Sequence, residues 1–550
     1  MSEKKTRKNN FTESTYLMYT AFIISGIIGA LYNTPFLAMV GHEGFYIYDS
    51  AYSIFALFLD VSTSGIPIAL SMIASEYISV GKYRSKERAF EIGRTIILVF
   101  SALSFLFLQL AANAIGRFYV TGTQDARVAG QIAIAVRIAA CALLILPFLS
   151  VKRGYIQGHK LFAASSFSQV IEQIVKVGWI LASAYVLIKV MHQPVEVGVY
   201  VGLGGLFMSG LMAYLYINHS TRNAIIETGS EEDASTESRR VIIRKIITYC
   251  LMISIVSMSQ SIYNIVNKRL VIVGLSRLGY QIDKLQDVIN NMSGLVPKIC
   301  MIVTALSMAM THSIAPHIAD SYARRDYRET NDKLNQVTNI TLTVTLPIMT
   351  GIVILAHPVY YMFFGESLYG TSILRLTICL NTISCLTSVY KTALQSMGYG
   401  KQVCVYTIVA ILINVICDLP LISLFDMFNK QPYLGASFSS VVAETVLLIM
   451  LARSLSGTVH FDLKRALGRV KKLLRPLLMM TIVVVTMCVV WPINVSVGRV
   501  GVFLRLVVYA LTGAAVYFVS AYRCNAIDDL LDVEMISKIL GKLKINKKKG

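Results

Sequence analysis

Charged residues are scarce in this chain, and their scarcity excludes the commonest kind of protein. Asp, Glu, Lys and Arg together make up 15% of the 550 residues, whereas apolar residues make up 55%. A soluble globular domain carries about a quarter charged residues. The composition therefore predicts a chain whose solvent is largely the hydrocarbon core of a membrane.

Metal-binding and disulfide patterns are also missing from the sequence. The chain has nine cysteines and eight histidines, but no Cys-x-x-Cys motif and no Cys/His cluster occurs. Structural zinc sites and small disulfide frameworks depend on such spacing. We therefore expect no metal site, no cofactor and no catalytic residue.

A large outward-facing loop is absent as well. The longest one, residues 267–287, offers Asp283 and Asp287 but no histidine. A membrane-embedded glycan polymerase or ligase would need a catalytic loop with clustered acids or histidines. The sequence therefore predicts that the protein is not an enzyme.

Long apolar runs dominate what is present. A spanning helix needs roughly 20 mostly apolar residues, and about fourteen stretches meet that condition. The predicted fold class is therefore all-α, a polytopic membrane protein with about 14 transmembrane helices. The predicted spans are 15–38, 48–75, 92–113, 128–150, 161–188, 195–217, 243–266, 288–316, 335–357, 370–395, 402–424, 433–453, 476–492 and 499–521.

The distribution of the positive charge predicts the orientation. If the N-terminus is cytoplasmic, 36 of the 51 Lys and Arg residues fall in inner segments and 9 in outer ones. Cytoplasmic loops carry this excess in membrane proteins. We expect both termini in the cytoplasm, a bacterial cell membrane location, and a basic tail that meets lipid rather than nucleic acid.

Two pairs of similar short segments predict an internal duplication. The stretch "SVKRGYIQG" (150–158) follows the fourth span, and "SVYKTALQS" (388–396) follows the tenth. Likewise, "GKYRSKERAFEIG" and "RRDYRETNDKLNQ" follow the second and eighth spans. Duplicated halves are common in transporters. The predicted domains are a six-helix bundle (1–217), a polar cytoplasmic linker (218–242), a second six-helix bundle (243–456) and two extra helices with a basic tail (457–550).

Several stretches carry a family resemblance. They are "SAYSIFALFLDVSTSGIPIALSMIASEY" (50–77), "GYIQGHK" (154–160), "SFSQVIEQIVKV" (166–177), "ILINVICDLPLISLF" (411–425) and "LGASFSSVVAETV" (434–446). The chain resembles the MATE-like (MOP) superfamily, and within it the MurJ-type lipid II flippases and their sporulation-associated relatives. The resemblance implies two bundles around a central cavity, alternating access, and export of an undecaprenyl-diphosphate-linked oligosaccharide from the inner to the outer leaflet. It also implies a groove for the lipid tail on the last two helices.

Polar groups inside spans are the candidate substrate-binding residues. An ionisable group in a span is costly unless it faces a protein interior or water. Lys298 is at mid-span after Pro297, and its ammonium suits either a diphosphate or a buried pair with Asp60. The predicted cavity set is Asp60, Ser64, Asn264, Asn291 and Lys298.

A second candidate group lies on the fifth span. Glu172 and Lys176 are four residues apart, in the favourable order for a helical ion pair. Arg137 of the preceding span is a further partner, and a role in ion coupling stays open. Gly65, Pro67 and Pro297 are the predicted hinge positions.

One departure from the family pattern leaves the substrate open. Many MurJ-type proteins carry arginines in the first span, whereas this chain reads "SGIIGALYN" (25–33) there. Lipid II is the first candidate substrate, another lipid-linked polysaccharide unit is the second, and a MATE-type drug or cation antiporter is the third. A non-transporting scaffold also stays open, as do envelope-assembly partners, and we expect a monomer.

Overall fold

The computed structural model describes residues 25–26, 28–29, 32–61, 70, 73, 77, 82–120, 126–158, 162–222, 237–493 and 498–524. Side chains are not described at 305–317, 463–467 and a few single positions. These residues form α-helices and no β-strand. The helices are α1 (Asn33–Asp60), α2 (Tyr83–Phe118), α3 (Ala126–Ala140), α4 (Leu146–Gly158), α5 (Phe162–Ala184), α6 (Val195–Ser220), α7 (Arg239–Arg277), α8 (Ile282–Ile289), α9 (Val296–Ala323), α10 (Tyr327–Ile354), α11 (Ala356–Phe364), α12 (Gly370–Ser396), α13 (Gly400–Met427), α14 (Tyr433–Val459), α15 (Leu463–Val490) and α16 (Gly498–Arg523).

Within the described residues, 11 helices are long and apolar enough to cross a membrane. Their mean hydropathy ranges from 1.4 to 2.5 over the most apolar window. The predicted all-α polytopic fold class is therefore confirmed. The other predicted spans, 15–38, 48–75 and 288–316, run through positions whose backbone or side chains are outside the described set.

The chain divides into two compact units. Unit 1 comprises Met1–Ala305 and Gly400–Ala443, and unit 2 comprises Leu306–Tyr399 and Glu444–Gly550. In unit 1, α5 packs on α6, α7 on α13, and α1 on α3, α6 and α7. In unit 2, α10 packs on α12 and α15, and α15 on α16. The two predicted six-helix bundles stay a prediction, and 223–236 of the predicted linker lie outside the described residues.

Local sequence explains how individual helices begin and bend. The Asp326 carboxylate accepts a hydrogen bond from the Glu329 backbone N–H at 2.8 Å, which satisfies one of the free donors at the start of α10. Pro347, Pro420 and Pro476 lie inside α10, α13 and α15, where each removes a helical hydrogen bond. Gly41 has φ of 67° inside α1, a conformation that favours glycine, and it produces a kink there.

Candidate functional site

A buried ion pair lies where α1 and α7 meet in unit 1. The Lys268 Nζ atom donates to Asp49 Oδ2 at 2.6 Å, to Ser53 Oγ at 2.6 Å and to the Asp49 carbonyl oxygen at 3.1 Å. All three ammonium protons therefore have acceptors. Lys268 is only 3% exposed. Burial of its charge is costly, and these three hydrogen bonds offset that cost.

The same carboxylate also binds the segment that leads into α9. Residues Asn290–Leu295 form a π-helical turn, and Ser293 Oγ donates to Asp49 Oδ2 at 2.8 Å. Gly294 lies against the ring of Phe45, and a Cβ at this position would collide with that ring. Asp49 thus joins α1, α7 and the start of α9 through one carboxylate.

A latch of three residues joins the same segments near the Gly41 kink. His42 Nδ1 is 2.7 Å from Asp287 Oδ1, and Asn290 Nδ2 donates to the His42 carbonyl oxygen at 2.8 Å. The pKa of His42 is raised, because its hydrogen bond to the Asp287 carboxylate favours the imidazolium more than partial burial disfavours it. We call His42, Asp287 and Asn290 the His42 latch.

Lys298 and Lys176 form the cationic part of the site. The Lys298 Nζ atom is 6.0 Å from the centre of the Tyr52 ring, a cation–π distance. Lys176 interacts electrostatically with both Glu172 and Lys298. Neither lysine has a carboxylate within ion-pair distance in the described part of the chain.

Asp60 does not neutralise Lys298 in this structure. Its Oδ2 atom accepts a hydrogen bond from Ser261 Oγ at 2.5 Å, and no Asp60–Lys298 ion pair forms. The carboxylate that interacts electrostatically with Lys298 is instead that of Asp49, which itself pairs with Lys268.

Glu172 has a different partner from the one predicted. Arg153 Nη1 is 2.7 Å from Glu172 Oε2, and Arg153 Nε donates to Ser168 Oγ at 2.7 Å. Glu172 therefore forms its ion pair with Arg153, whereas Lys176 interacts with it only at longer range, and the roles predicted for Glu172, Lys176 and Arg137 stay predictions. The guanidinium holds both groups of α5 at once, which a single ammonium on the same helix cannot do.

Arg137 lies apart from that pair. Its Nη2 atom donates to Asn113 Oδ1 at 3.3 Å, and its carbonyl oxygen accepts from Gln109 Nε2 at 3.0 Å. Both partners belong to α2, so Arg137 joins α3 to α2 and does not contribute to the cationic site.

The remaining predicted site residues have separate positions. Asn264 lines a cavity of about 30 Å³ beside Lys268 and Ser293, large enough for a water molecule. Asn291 is fully buried, and its amide donates to the Asp287 carbonyl oxygen at 2.7 Å, which is a structural contact and not one to a cavity. Pro297 is in the first turn of α9, directly after the π-helical turn. Ser64, Gly65 and Pro67 lie outside the described residues.

A buried cluster of oxygen atoms lies between α7, α13 and α14. Asn414 Nδ2 donates to Ser439 Oγ at 3.0 Å, to Ser440 Oγ at 3.2 Å and to Asp418 Oδ1 at 3.3 Å. Asn267 Nδ2 also donates to Ser440 Oγ, at 2.7 Å. Three buried oxygens, namely Asn267 Oδ1, Asn414 Oδ1 and Asp418 Oδ2, accept no hydrogen bond from the described residues. We call these five residues the acceptor cluster.

The sequence did not single out several of these groups. Asp49 is at the edge of a predicted span and Asn267 lies just beyond another, while Asp418, near the outer end of the predicted span 402–424 and beside Pro420, favours a helix-terminal role over an ion site on sequence alone. The structure instead has Asp418 inside α13 with no exposed surface. A clue was available in "FYIYDSAYS", where an acid stands within an aromatic run.

Comparisons with known proteins agree with this architecture. A model described as a polysaccharide biosynthesis protein matches residues 11–280, and the MatE model matches residues 293–419. The lipid II flippase MurJ of Bacillus subtilis (strain 168) is 25% identical over 526 residues, which is 94% of this chain and 96% of that relative. This chain belongs to the MATE-like (MOP) superfamily.

Other relatives extend the comparison. Stage V sporulation protein B of the same organism is 24% identical over 174 residues, 31% of this chain and 32% of that protein. Among solved structures, the lipid II flippase MurJ in an inward closed conformation matches with a TM-score of 0.65 at 17% identity, over 94% of this chain and 99% of that one. An outward-facing MATE family multidrug transporter matches with a TM-score of 0.61 at 14% identity, over 82% and 97%.

These likenesses place the chain among flippases and transporters of the bacterial membrane. It is a multi-pass membrane protein of a flippase family, with MurJ-type relatives. The relatives whose names state an activity are described as lipid II flippases or as a multidrug transporter.

Proposed function

We propose that this protein is a flippase that moves an undecaprenyl-diphosphate-linked oligosaccharide, with lipid II as the first candidate, from the inner to the outer leaflet by alternating access. The observation that carries the proposal is the pair of lysines, Lys176 and Lys298, neither of which has a carboxylate within 4.0 Å among the described residues, while Lys298 lies over the Tyr52 ring. The curated relative that covers 94% of the chain is itself described as a lipid II flippase.

The chemistry of the lysines favours an anionic substrate. Two ammonium groups in a membrane interior repel each other and cost several kcal/mol unless water or an anion compensates them. The face of Tyr52 offsets part of this cost for Lys298. A diphosphate supplies the missing negative charge with oxygens that accept from both ammonium groups.

The alternatives fit this site less well. An antiporter of organic cations needs an acidic cavity, whereas here Glu172 is neutralised by Arg153 and Asp49 by Lys268. A different lipid-linked polysaccharide unit would use the same lysines, so it stays the second candidate. A scaffold without transport would tolerate the loss of both lysines.

Conformational change would act on the contacts of Asp49. The Asp49–Lys268 pair and the His42 latch hold α1 against α7 and α9. Rocking that separates these helices must break both sets of contacts. Helical hydrogen bonding is irregular at the π-helical turn Asn290–Leu295 and again at Pro297. We expect the helix to bend most easily at these two places.

The acceptor cluster is our candidate for ion coupling. Three buried oxygens that receive no hydrogen bond from the described residues carry partial or full negative charge, which a proton or a monovalent cation would neutralise. Glu172, the acidic coupling candidate from the sequence, and Asp60, a predicted cavity residue, already have partners in Arg153 and Ser261. Asp418→Asn should therefore weaken the dependence of transport on the coupling ion more than Asp60→Asn does.

The orientation is part of the proposal and has a direct test. Cys524 is exposed at the end of α16, and we expect it to face the cytoplasm along with both termini. An impermeant maleimide added to intact cells should leave Cys524 unlabelled and should label a Gln193→Cys variant, since Gln193 lies in the exposed loop before α6 that we expect to face outward. Labelling of Cys524 in intact cells would reverse the orientation.

Depletion of the protein tests the proposed function. An undecaprenyl-linked precursor should accumulate on the inner leaflet, and its glycan identifies the substrate. Lys176→Gln/Lys298→Gln should fail to relieve the accumulation, whereas Lys284→Gln, an exposed lysine of α8, should relieve it fully. If no precursor accumulates, or if the double variant is as effective as the wild type, the proposal fails.

A further inference from the structure

A cluster of cations lies at one end of the α15–α16 pair in unit 2. Lys471, Lys472 and Arg475 of α15 and Arg523 of α16 line an open depression of about 670 Å³, with Cys524 as its other lining residue. All four cationic side chains are exposed, and none forms an ion pair with the described residues. We call these four residues the basic cluster.

The two helices bring the cations together because they are antiparallel neighbours. The basic residues precede the apolar stretch of α15, and Arg523 ends the apolar stretch of α16. A Cβ at Gly513 would be 3.2 Å from the side chain of Val484, so the helices approach closely at mid-length. The packing of the two helices, and not one flexible loop, therefore brings the four cationic side chains together.

An exposed apolar surface begins directly beside the basic cluster. On α15, exposed Leu474 and Leu478 follow Lys471 at helical spacing, with 49% and 59% exposure. On α16, Val519 is one turn before Arg523 and is 55% exposed. Residues three or four apart share a helix face, so each cation stands at the end of an apolar stripe.

This combination selects one class of ligand. A soluble anion would use the cations but leave the apolar stripes without a partner. A phospholipid with an anionic headgroup uses both, since its phosphate meets the cations while its acyl chains lie along the stripes. Lys and Arg at a membrane boundary keep their stems on apolar surface and their charges at the headgroup level.

We propose that the basic cluster is a binding site for the phosphate of an anionic membrane phospholipid. The site is separate from the lysines of the proposed transport site, so it stands even if the transported lipid is something else. It would hold the α15–α16 pair to a lipid headgroup on the side where the basic tail begins.

The test uses the full-length purified protein and two lipids that differ in headgroup charge. Native mass spectrometry after addition of phosphatidylglycerol or phosphatidylcholine should show retention of phosphatidylglycerol at about tenfold lower lipid concentration. A variant with Gln at all four positions (Lys471→Gln, Lys472→Gln, Arg475→Gln and Arg523→Gln) should lose this preference. Glycerol 1-phosphate, which lacks acyl chains, should compete only at far higher concentration.

A matched control separates the site from net charge. Arg88→Gln, Arg94→Gln, Arg240→Gln and Arg244→Gln remove the same number of exposed positive charges from α2 and α7, and the lipid preference should remain. Labelling of Cys524 by a maleimide gives a second readout within the depression, and phosphatidylglycerol should slow it in the wild type. Equal retention of the two lipids, unchanged retention by the four-Gln variant, equal loss in the control, or full competition by glycerol 1-phosphate would each overturn the proposal.

Discussion

The interiors of unit 1 and unit 2 differ in chemistry. In unit 1, the buried Lys268–Asp49 pair joins α1 to α7, and Lys176 and Lys298 lie in the same unit with no acid at ion-pair distance among the described residues. In unit 2, a hydrophobic core between α10, α15 and α16 contains Leu473, Met480, Val484, Tyr509 and Tyr517. We therefore expect the α15–α16 pair to keep its packing during the proposed transport cycle, and the polar contacts of unit 1 to exchange partners.

Even the tyrosines of the unit 2 core are satisfied within the chain. Tyr517 Oη donates to the Thr343 carbonyl oxygen at 2.9 Å, and Tyr509 Oη donates to the Met487 carbonyl oxygen at 2.7 Å. A core of this kind needs no ligand for its stability. The predictions below separate the two kinds of interior.

The largest effect should come from breaking the buried ion pair of unit 1. Lys268→Met leaves the Asp49 carboxylate buried without its cation, which typically costs about 3–5 kcal/mol. The free energy of unfolding of the purified protein in mixed micelles measures the change. Lys268→Met/Asp49→Leu should recover most of the loss, because it removes both charges, and a single variant as stable as the wild type would contradict this account.

Truncation of the unit 2 core should cost somewhat less. Leu473 has no exposed surface, and Leu473→Ala removes buried methyl groups at a cost of about 3 kcal/mol. Transport per folded molecule should be unchanged. The neighbouring Leu474 is 49% exposed, so Leu474→Ala is the matched control and should cost under about 1 kcal/mol.

Removal of one hydroxyl from the same core should have a smaller effect. Tyr517→Phe leaves the Thr343 carbonyl oxygen without this donor, at a cost of about 1–2 kcal/mol. Tyr522→Phe, at a residue that is 62% exposed, should leave the free energy of unfolding unchanged. Equal effects of the two substitutions would show that the buried hydrogen bond contributes no more to the free energy of unfolding than an exposed hydroxyl does.

The smallest effect concerns pH and the His42 latch. The Asp287 carboxylate raises the pKa of His42 above its ordinary value of 6.5, so the charged pair is fully formed below that value. Its contribution is lost as pH rises through the raised pKa, and for a half-exposed pair it is under about 1 kcal/mol. The free energy of unfolding, measured from below pH 6.5 to above the raised pKa of His42, should decrease slightly as the pH rises.

The control for this titration is a change to the acceptor. Asp287→Asn removes the carboxylate and should abolish the pH dependence while it preserves the size of the side chain. A wild-type profile that stays flat, or a variant profile as steep as that of the wild type, would show that the latch does not titrate as described.

Much of the fold was predictable, because hydropathy is a local property. The apolar runs predicted an all-α membrane protein, and eleven of the fourteen predicted spans overlap described helices that are long and apolar enough to cross a membrane. Pro297 directly follows a π-helical turn, and its role as a hinge stays a prediction.

The partners of the charged residues were less predictable, because they depend on which helices become neighbours. Lys268 and Asp49 are 219 residues apart, and no helical spacing connects them. Glu172 had a plausible partner one turn away in Lys176, yet Arg153 of another helix takes it. Local rules find the nearest opposite charge, whereas tertiary packing decides which of several opposite charges is in reach.

Translocation in reconstituted vesicles tests the central claim most directly. Vesicles that contain wild-type protein or Lys284→Gln should move the headgroup of a fluorescent lipid II to the opposite leaflet at similar rates. Lys176→Gln/Lys298→Gln should slow this movement at least tenfold while the protein stays folded and correctly inserted. Translocation by the double variant at the wild-type rate would show that the two lysines do not hold the diphosphate.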